Sequence, residues 1–279
     1  MRLFTARPRL YQDLESGNPT LAAYAHILAS SGTTFGSLIS IGAGDGYVDL
    51  SLPLAWKALR YIPVDISQAM VEAAVETARQ RSIVALGLVT DVENTSSFLE
   101  ERLEAEAPPP RLVVCLGNMF GNLDQGERAL LMRLRAILDG PQCRLMLSVA
   151  LGEFPRPIDR ATFDARVGWS DLRALLSAGV ARRTGEDALR IEEAMADRLV
   201  VAAGASDVPG ADALLLSDGP SGSPLLHLRR YAFPPLLNWL EQVFALNVVD
   251  AQDCALPSVE EVRLGIALLA LRTTSPGTQ

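Results

Sequence analysis

Residues 38–149 repeat one pattern four times, in which a short apolar run is followed by a turn and an amphipathic helix. Such runs, bounded by turn residues, are typical of strands whose two faces are both buried. Strands that alternate with helices indicate a parallel sheet covered by helices on both faces. Because crossovers between parallel strands are right-handed, such a sheet is doubly wound. We therefore predict a doubly wound α/β fold. Its first five strands are predicted at Ser37–Ile41, Tyr61–Val64, Val84–Val89, Leu112–Leu116 and Arg144–Val149.

The helices between these strands are predicted from their caps and breakers. Ser67 is a suitable N-cap for the second helix, and Asp124 is one for the fourth. Pro53 is expected to kink or end the first helix, and Pro108–Pro110 end the third. The predicted helices are Tyr47–Leu59, a helix from Ser67 to about Arg81, Ser96–Glu106 and Gln125–Leu138.

The alternation stops after residue 150. Residues 151–230 hold loops rich in Gly, Pro, Ser and Asp, and we predict that their three strands form an antiparallel ribbon. A helix at Pro234–Phe244 follows, and then the strands Leu246–Val249 and Arg263–Arg272. The loop joining these two strands is too short and polar for a covering helix, so we expect them to pair antiparallel and to complete a seven-stranded sheet. The inserted elements are predicted at Asp171–Ala178, Glu186–Asp197, Leu199–Ala203, Ala213–Ser217 and Leu225–Tyr231.

The composition excludes several classes of function. The formal net charge is −8, and no run of Lys or Arg exceeds two residues, so the chain lacks the basic surface that binds nucleic acid or anionic lipid. No apolar stretch approaches the roughly 18 residues of a membrane span, and the first twenty residues lack a signal core. Cys115, Cys143 and Cys254 form no CxxC pair, which favours reduced thiols and no metal site. We expect a cytoplasmic protein.

Three glycines and two acids mark a candidate ligand site. Gly42, Gly44 and Gly46 directly follow the first strand, where they let the backbone pass close to a ligand. Asp65 ends the second strand, where a carboxylate can accept both hydroxyls of a ribose, and Asp91 ends the third, within reach of an adenine amine. Alone, the glycines would equally fit a tight turn. Because ligands of such sheets bind at the carboxyl ends of the strands, all five residues together predict a nucleoside site.

Other nucleotide motifs are excluded. A dinucleotide fingerprint needs glycine three residues after Gly44, and that position is Tyr47. The chain also has no phosphate-binding loop of the Gly-x-x-x-x-Gly-Lys-Ser/Thr type.

The glycine spacing with its two acids resembles the class I S-adenosylmethionine-dependent methyltransferases, whose Rossmann-like sheet ends in an antiparallel pair. The resemblance implies S-adenosylmethionine as cofactor and S-adenosylhomocysteine as product. It also implies three regions, with a helical N-terminal cap at 1–36, a cofactor-binding domain at 37–150 and 231–272, and an inserted α+β unit on the substrate side at 151–230. The implied cofactor-binding residues are Gly42, Ala43, Gly44, Asp45, Asp65, Ile66, Asp91, Val92 and Gly117.

Two longer strings narrow the resemblance. Tyr61-Ile-Pro-Val-Asp-Ile-Ser67 and Leu116-Gly-Asn-Met-Phe-Gly-Asn-Leu-Asp124 are similar to motifs of the histidine-specific N-methyltransferases of ergothioneine biosynthesis. In that family a Glu-x-Ser pair helps to hold the substrate, and here His227 and Arg229 stand in its place, so the acceptor is left open. The resemblance implies that the loop after the fourth strand lines the transfer pocket with Gly117, Asn118, Phe120, Gly121 and Asn122, together with His227 and Arg229.

The two histidines are candidate bases. His227 shares one strand face with Arg229 and Tyr231, which a solvated strand would also explain. His26 lies in a helix at Thr20–Leu28, and in the resembled family an N-terminal segment with tyrosines closes over the site, which makes Tyr24 a candidate too. Residues two apart on a helix point about 200° from each other, so Tyr24 and His26 cannot both face a pocket. We favour His26 as the base, assisted by Tyr24.

The expected activity is therefore methyl transfer to a small aromatic natural product derived from an amino acid. The chain is similar in size and cofactor motifs to indole C3-methyltransferases that act on tryptophan-containing cyclic dipeptides, so that indole carbon is the favoured acceptor. Histidine or a related amino acid, methylated on nitrogen, is the alternative. A non-catalytic scaffold would show a damaged glycine loop. A nucleic-acid methyltransferase would show a basic cleft and an Asn/Asp-Pro-Pro-aromatic motif. We expect a small-molecule substrate, a place in secondary metabolism and a monomer or homodimer.

Overall fold

A computed structural model describes residues 19–54, 59–94, 98–140, 142–154, 176–177, 180–181, 187–255 and 263–272. Its strands form one sheet of seven and one of three. The strands are β1 (Ser37–Ile41), β2 (Arg60–Asp65), β3 (Leu88–Val89), β4 (Arg111–Cys115), β5 (Arg144–Leu151), β6 (Leu199–Ala203), β7 (Asp212–Asp218), β8 (Pro224–Arg230), β9 (Leu246–Ala255) and β10 (Arg263–Leu271).

Seven helices are described in these ranges, together with a short 3₁₀ helix at Met119–Asn122 that follows β4. They are α1 (Pro19–Ser30), α2 (Tyr47–Leu50), α3 (Gln68–Gln80), α4 (Phe98–Glu106), α5 (Glu127–Ile137), α6 (Ala188–Arg198) and α7 (Phe233–Phe244). None of the helices in the described part of the chain has the length and hydropathy that a membrane span requires.

The large sheet has the order β3-β2-β1-β4-β5-β10-β9. Strands β1 to β5 pair in parallel, whereas β10 pairs antiparallel with both β5 and β9. The predicted doubly wound sheet with a final antiparallel pair is confirmed. Because β1 lies between β2 and β4, the chain reverses its direction of winding there and opens a crevice at the carboxyl ends of these strands.

The sheet separates two apolar cores, because side chains along each strand alternate between its faces. On one face Leu103, Leu134 and Leu240 of α4, α5 and α7 pack against residues such as Ile39 and Val113. On the other face α1 and α3 contribute residues that include Tyr24, Ile27, Ala74 and Ala78.

Several predicted boundaries differ from the structure. The third strand was predicted from Val84, but apart from one bridge at Ala85 the ladder with β2 covers only β3. Gly87 interrupts it, since glycine weakens a strand interior. Strand β9 extends to Ala255, six residues beyond its predicted end, because an edge strand can expose polar residues such as Gln252 and Asp253. Helix α2 ends at Leu50, and the predicted helix Asp171–Ala178 lies almost entirely outside the described residues.

The segment inserted between β5 and α7 has its own small core. Strands β6, β7 and β8 form the antiparallel ribbon that the sequence predicts, and α6 packs on it through Ile191 and Met195. The chain returns from β8 beside the end of β5, where the Tyr231 N–H donates to the Ala150 carbonyl. The division of the chain at 151 and 230 stays a prediction, and these contacts support it.

Candidate functional site

The glycine loop joins β1 to α2 at the carboxyl edge of the sheet. Gly42, Gly44 and Gly46 all have positive φ angles, of 68°, 56° and 74°, which glycine adopts without steric cost. The N–H groups of Gly42 and Ala43 donate to the Val64 carbonyl oxygen at 2.8 and 3.1 Å. The loop is therefore fastened to the end of β2.

At two of the three positions a side chain would collide with a neighbouring residue, and at the third it would extend into open space. A Cβ at Gly42 would lie 2.5 Å from the Met119 side chain, and one at Gly46 would lie 2.8 Å from the Tyr61 hydroxyl. A Cβ at Gly44, or at Gly117 after β4, would meet no atom within 4 Å. The backbone at Gly44 and Gly117 is therefore open toward the crevice, as close approach of a ligand requires.

Asp65 supports the glycine loop from the end of β2. Its Oδ2 accepts the Gly44 N–H at 3.1 Å, and its Oδ1 accepts the Ser67 N–H at 2.9 Å. A carboxylate has about four acceptor positions, so capacity for ribose hydroxyls remains. The neighbouring Ile66 is 70% exposed, which leaves an apolar surface beside the acid. Asp45, within the loop, accepts the Tyr47 N–H.

The loop after β3 carries the second acid. Asp91 accepts the Glu93 N–H at 2.9 Å and the Asn94 side-chain amide at 2.6 Å. The Val92 side chain is buried in the main core, so its backbone is the part left for contact with a nucleoside. Glu93, which the sequence did not single out, accepts the N–H groups of Asp124 and Gln125 and thereby joins this loop to the one after β4.

The loop after β4 turns sharply beside the glycine loop. Gly117 and Asn118 both have positive φ angles, of 63° and 62°. The Gly117 N–H donates to Ser148 Oγ at 2.9 Å, and Asn118 Oδ1 accepts the Ala150 N–H at 3.0 Å. Both residues are thus held by β5, while Asn122 is exposed. Asparagine tolerates the left-handed conformation better than other residues with a side chain.

Phe120 lies in the core rather than on the surface of this loop. Its side chain is fully buried, and its ring packs against Tyr231 at 6.0 Å between centroids. This placement corrects the expectation that the Phe120 ring contacts the substrate, because burying an aromatic ring beneath the loop removes it from solvent and from ligands alike.

Arg229 also has a structural place. Its guanidinium is buried, donates to the carbonyl oxygens of Ala205 and Leu123, and lies 3.5 Å from Glu127. This corrects the expectation that the Arg229 side chain binds substrate, since a buried charge must be paired inside the protein. His227 and Tyr231 share its strand face as predicted, and His227 is 19% exposed with Nε2 3.9 Å from Asp124 Oδ1.

His26 is remote from the crevice. Its side chain is 71% exposed, and its Nδ1 lies 3.6 Å from Asp250 of the edge strand β9. Strand β9 is the last strand of the sheet, and β5 and β10 lie between it and β4, so Asp250 is about 14 Å across the sheet from the strand that leads into the transfer loop. This position corrects the preference for His26 as the base.

Tyr24 faces the opposite way from His26, as helix geometry requires. It is buried under the sheet and shares a side-chain hydrogen bond with Ser148, whose Oγ also accepts the Gly117 N–H. Burial raises the pKa of Tyr24 well above its usual value, so the phenol stays protonated. Tyr24 therefore supports the loop after β4 from below, with Ser148 between them.

A buried acid beneath the glycine loop was missed by the sequence analysis. Asp49 of α2 is 2% exposed and accepts the Tyr61 hydroxyl at 2.6 Å, and Ser40 also hydrogen-bonds it. Burial raises the pKa of Asp49 to about 6. The sequence gives one signal for this residue, which is that an acid stands at a position of the helix where an apolar residue would be expected to pack inward. In the described part of the chain no three His, Cys, Asp or Glu side chains are grouped to hold a metal ion.

A solved methyltransferase structure shares the fold. An S-adenosylmethionine-dependent methyltransferase from Clostridium acetobutylicum matches with 13% identity, covering 95% of this chain and 97% of that one, at a TM-score of 0.50. A SAM-dependent methyltransferase from Methanosarcina mazei matches with 15% identity, covering 91% and 98%, at a TM-score of 0.48. No curated protein is similar enough in sequence to match.

The family comparison is more specific than the structural one. The model of a family described as "Histidine-specific methyltransferase, SAM-dependent" matches residues 17–170, which is 154 of the 279 residues. The match includes the glycine loop, both strand-end acids and the loop after β4. The open backbone at Gly44 and Gly117, with the spare acceptor capacity of Asp65, fits S-adenosylmethionine. The chain thus belongs to the SAM-dependent, histidine-specific methyltransferase family and is a methyltransferase.

Proposed function

We propose that this methyltransferase acts on a small acceptor derived from an aromatic amino acid, with the indole C3 of a tryptophan-containing cyclic dipeptide as the favoured target. The observation that carries the proposal is the half-buried His227, which stands beside the loop after β4 where the resembled family has a glutamate. An imidazole can accept a proton or a hydrogen bond from a neutral ring, whereas a carboxylate suits the polar imidazole of histidine.

The cofactor, when bound, supplies an activated methyl group on a sulfonium. The residues that would hold it are those of the glycine loop, with Asp65 toward the ribose and Asp91 toward the adenine. Ile66 would cover one face of the base, because its exposed side chain lies directly beside Asp65. Gly117 leaves room for the methyl-bearing end.

The transfer itself needs alignment more than a protein nucleophile. In an in-line displacement the enzyme brings the acceptor atom behind the methyl carbon and keeps water away. We assign this role to the amides of Asn118 and Asn122 in the loop after β4, which can orient oxygen or nitrogen atoms of the acceptor. The Asn118 amide is held by β5, which restricts its rotation.

His227 would act as the base. Attack by indole C3 on the methyl carbon would form a carbon–carbon bond and break the carbon–sulfur bond, whose electrons would stay on a neutral thioether. The resulting iminium on the indole is closed by an amide nitrogen of the same substrate, and that nitrogen must lose its proton. His227 accepts it, and Asp124, at 3.9 Å from its Nε2, stabilises the imidazolium.

Histidine or a related amino acid is the second candidate acceptor, methylated on nitrogen. The family's own description supports it. The replacement of the Glu-x-Ser pair weighs against it, and so does the burial of Arg229, which leaves one polar side chain of that pair at the site instead of two.

Mass spectrometry of the products decides between these acceptors. The protein is incubated with methyl-labelled S-adenosylmethionine and, separately, with histidine, tryptophan and tryptophan-containing cyclic dipeptides. The proposal expects the label on a cyclic dipeptide at the indole carbon. Label on histidine alone would replace it by the second candidate, and label on none of the panel would refute both.

A further inference from the structure

The end of the inserted ribbon holds the loop after β4. Arg229 Nη1 donates to the Leu123 carbonyl oxygen at 2.7 Å, and the Asn118 side-chain amide lies 3.5 Å from the carbonyl oxygen of Arg229. The backbone of the loop at Gly121 also lies close to β8, since a Cβ built on Gly121 would be 2.9 Å from the Arg229 carbonyl oxygen. One residue of β8 therefore contacts the beginning, the middle and the end of the loop.

These contacts are anchored on a buried carboxylate. Glu127, at the start of α5, is completely buried and accepts the Tyr231 hydroxyl at 2.8 Å and the Ser206 hydroxyl at 2.6 Å. It also accepts the Asp207 N–H at 3.2 Å, and its Oε1 lies 3.5 Å from Arg229 Nε. The insert and α5 thus meet in one closed polar cluster, consisting of Glu127, Ser206, Asp207, Arg229 and Tyr231.

The cluster is connected to the loop from a second direction. The Tyr231 hydroxyl lies 3.3 Å from the Phe120 carbonyl oxygen, and the rings of these two residues pack together. Burial, followed by the neighbouring Glu127 carboxylate, raises the pKa of Tyr231 well above its usual value, so its hydroxyl remains a donor.

The loop needs such support because its own bonds are few. Two consecutive residues, Gly117 and Asn118, are in the left-handed region, and the turn is closed by the Met119 and Gly121 N–H groups donating to the carbonyls of Leu116 and Asn118. A backbone in sparsely populated conformations persists when its surroundings determine it.

We infer that Arg229 and Glu127 are positioning residues for methyl transfer, which hold the loop of residues 117–123 in the shape that the acceptor meets. The inference rests on the proposed use of this loop as the transfer site. The inserted unit then has a second role besides covering the substrate, because its last strand stabilises the conformation of a loop of the cofactor-binding domain. Neither side chain touches the reacting atoms.

A matched pair of double variants separates positioning from stability. Glu127→Gln with Arg229→Met removes the ion pair of the cluster and leaves no unpaired buried charge. Arg198→Met with Asp218→Asn removes a second buried ion pair of the same insert, whose Nε–Oδ1 distance is 2.8 Å and which contacts no residue of the loop in the contacts described. Tyr231→Phe removes a single hydroxyl and serves if the first double variant fails to fold.

Hydrogen exchange followed by mass spectrometry gives the readout. We expect the Met119 and Gly121 amides to exchange at least about tenfold faster in the Glu127/Arg229 variant than in wild type, and at the wild-type rate in the Arg198/Asp218 variant. Once an acceptor is found, kcat should fall by about 10- to 100-fold in the first variant. KM for S-adenosylmethionine should stay within about threefold, because the glycine loop and the two strand-end acids are untouched and the Gly117 N–H is held by Ser148 of β5.

Unchanged exchange in the Glu127/Arg229 variant would overturn the inference, as would an equal acceleration in both double variants. Binding of S-adenosylhomocysteine to wild type is measured first, by calorimetry. A failure there contradicts the cofactor assignment, whereas the exchange of the loop amides in the free protein is still decided by the two variants. The two failures are therefore distinguishable.

Discussion

The two histidines have opposite surroundings, and these surroundings predict opposite effects on catalysis. His227 is half-buried beside the loop after β4, and His26 is exposed beside the edge strand β9. His227→Ala should lower turnover by roughly 10²–10⁴-fold, the usual effect of losing a general base, with little change in cofactor affinity. His26→Ala is the matched control and should keep wild-type turnover. Single-turnover kinetics measure both, and equal rates in the two variants would remove His227 from the mechanism.

The buried Asp49 makes the free energy of unfolding depend on pH. The pKa of an aspartate is ordinarily 3.8, and that of Asp49 in the folded protein is about 6. Between these pH values the folded chain therefore keeps a proton on Asp49 that the unfolded chain has lost. For an acid whose folded pKa is raised, the free energy of unfolding falls as pH rises through this window and is constant above it. The shift corresponds to about 3 kcal/mol.

We therefore expect Asp49→Asn to gain stability relative to wild type as the pH rises from 4 to 7. Asparagine carries no charge to bury and still accepts the Tyr61 hydroxyl. Urea unfolding at both pH values measures the difference, and Asp45→Asn in the same loop is the control. A difference between wild type and Asp49→Asn that does not change with pH would show that Asp49 is not protonated on folding in this window.

Helix α5 shows how an element can be capped from far away in the sequence. Asp124 is well placed locally to be its N-cap, but the helix begins at Glu127 after Gly126, whose φ of 91° favours glycine. A carboxylate that accepts an N–H group of its first turn comes from the insert, where Asp207 Oδ2 accepts the Arg128 N–H at 3.0 Å. Carboxylates at this position stabilise a helix through the free N–H groups and the helix dipole.

The resulting prediction compares two acids. Asp207→Ala should lower the free energy of unfolding by about 1 kcal/mol, the typical value of a helix cap. Asp124→Ala should change it by less than about 0.5 kcal/mol, as surface substitutions usually do. Urea unfolding at one pH measures both. An equal loss in the two variants would mean that the local residue caps the helix in solution.

The contrast between local and distant interactions explains which features of the helices and strands could be predicted. Strand and helix positions in residues 37–150 follow from apolar periodicity, and the structure confirms most of them. The ends of β9 and the cap of α5 could not be predicted, because an edge strand tolerates polar residues and the cap lies 79 residues away along the chain. The buried cluster on Glu127 has the same origin, since its partners lie 79 to 104 residues apart.

For the whole molecule, the glycine loop and its two acids could be recognised because strand ends of a parallel sheet meet at one edge. The interpretation of Phe120, Arg229 and His26 as site residues was wrong, because a sequence pattern gives the face of an element but not what covers that face. The insert packs over Arg229, and the strand order places His26 at the far edge. Family membership and fold were within reach of the sequence, whereas the acceptor was not.

The central claim is that the glycine loop with Asp65 binds an S-adenosylmethionine-type cofactor. Its most direct test is the melting temperature of the protein with S-adenosylhomocysteine or with NADH. At about 100 times its Kd, a ligand adds about 2.7 kcal/mol to the free energy of unfolding, which is roughly 5–10 °C for a chain of this size. We predict that shift with S-adenosylhomocysteine in wild type and in the control Asp250→Ala, and its loss in Asp65→Ala. A shift with NADH and none with S-adenosylhomocysteine would contradict the account.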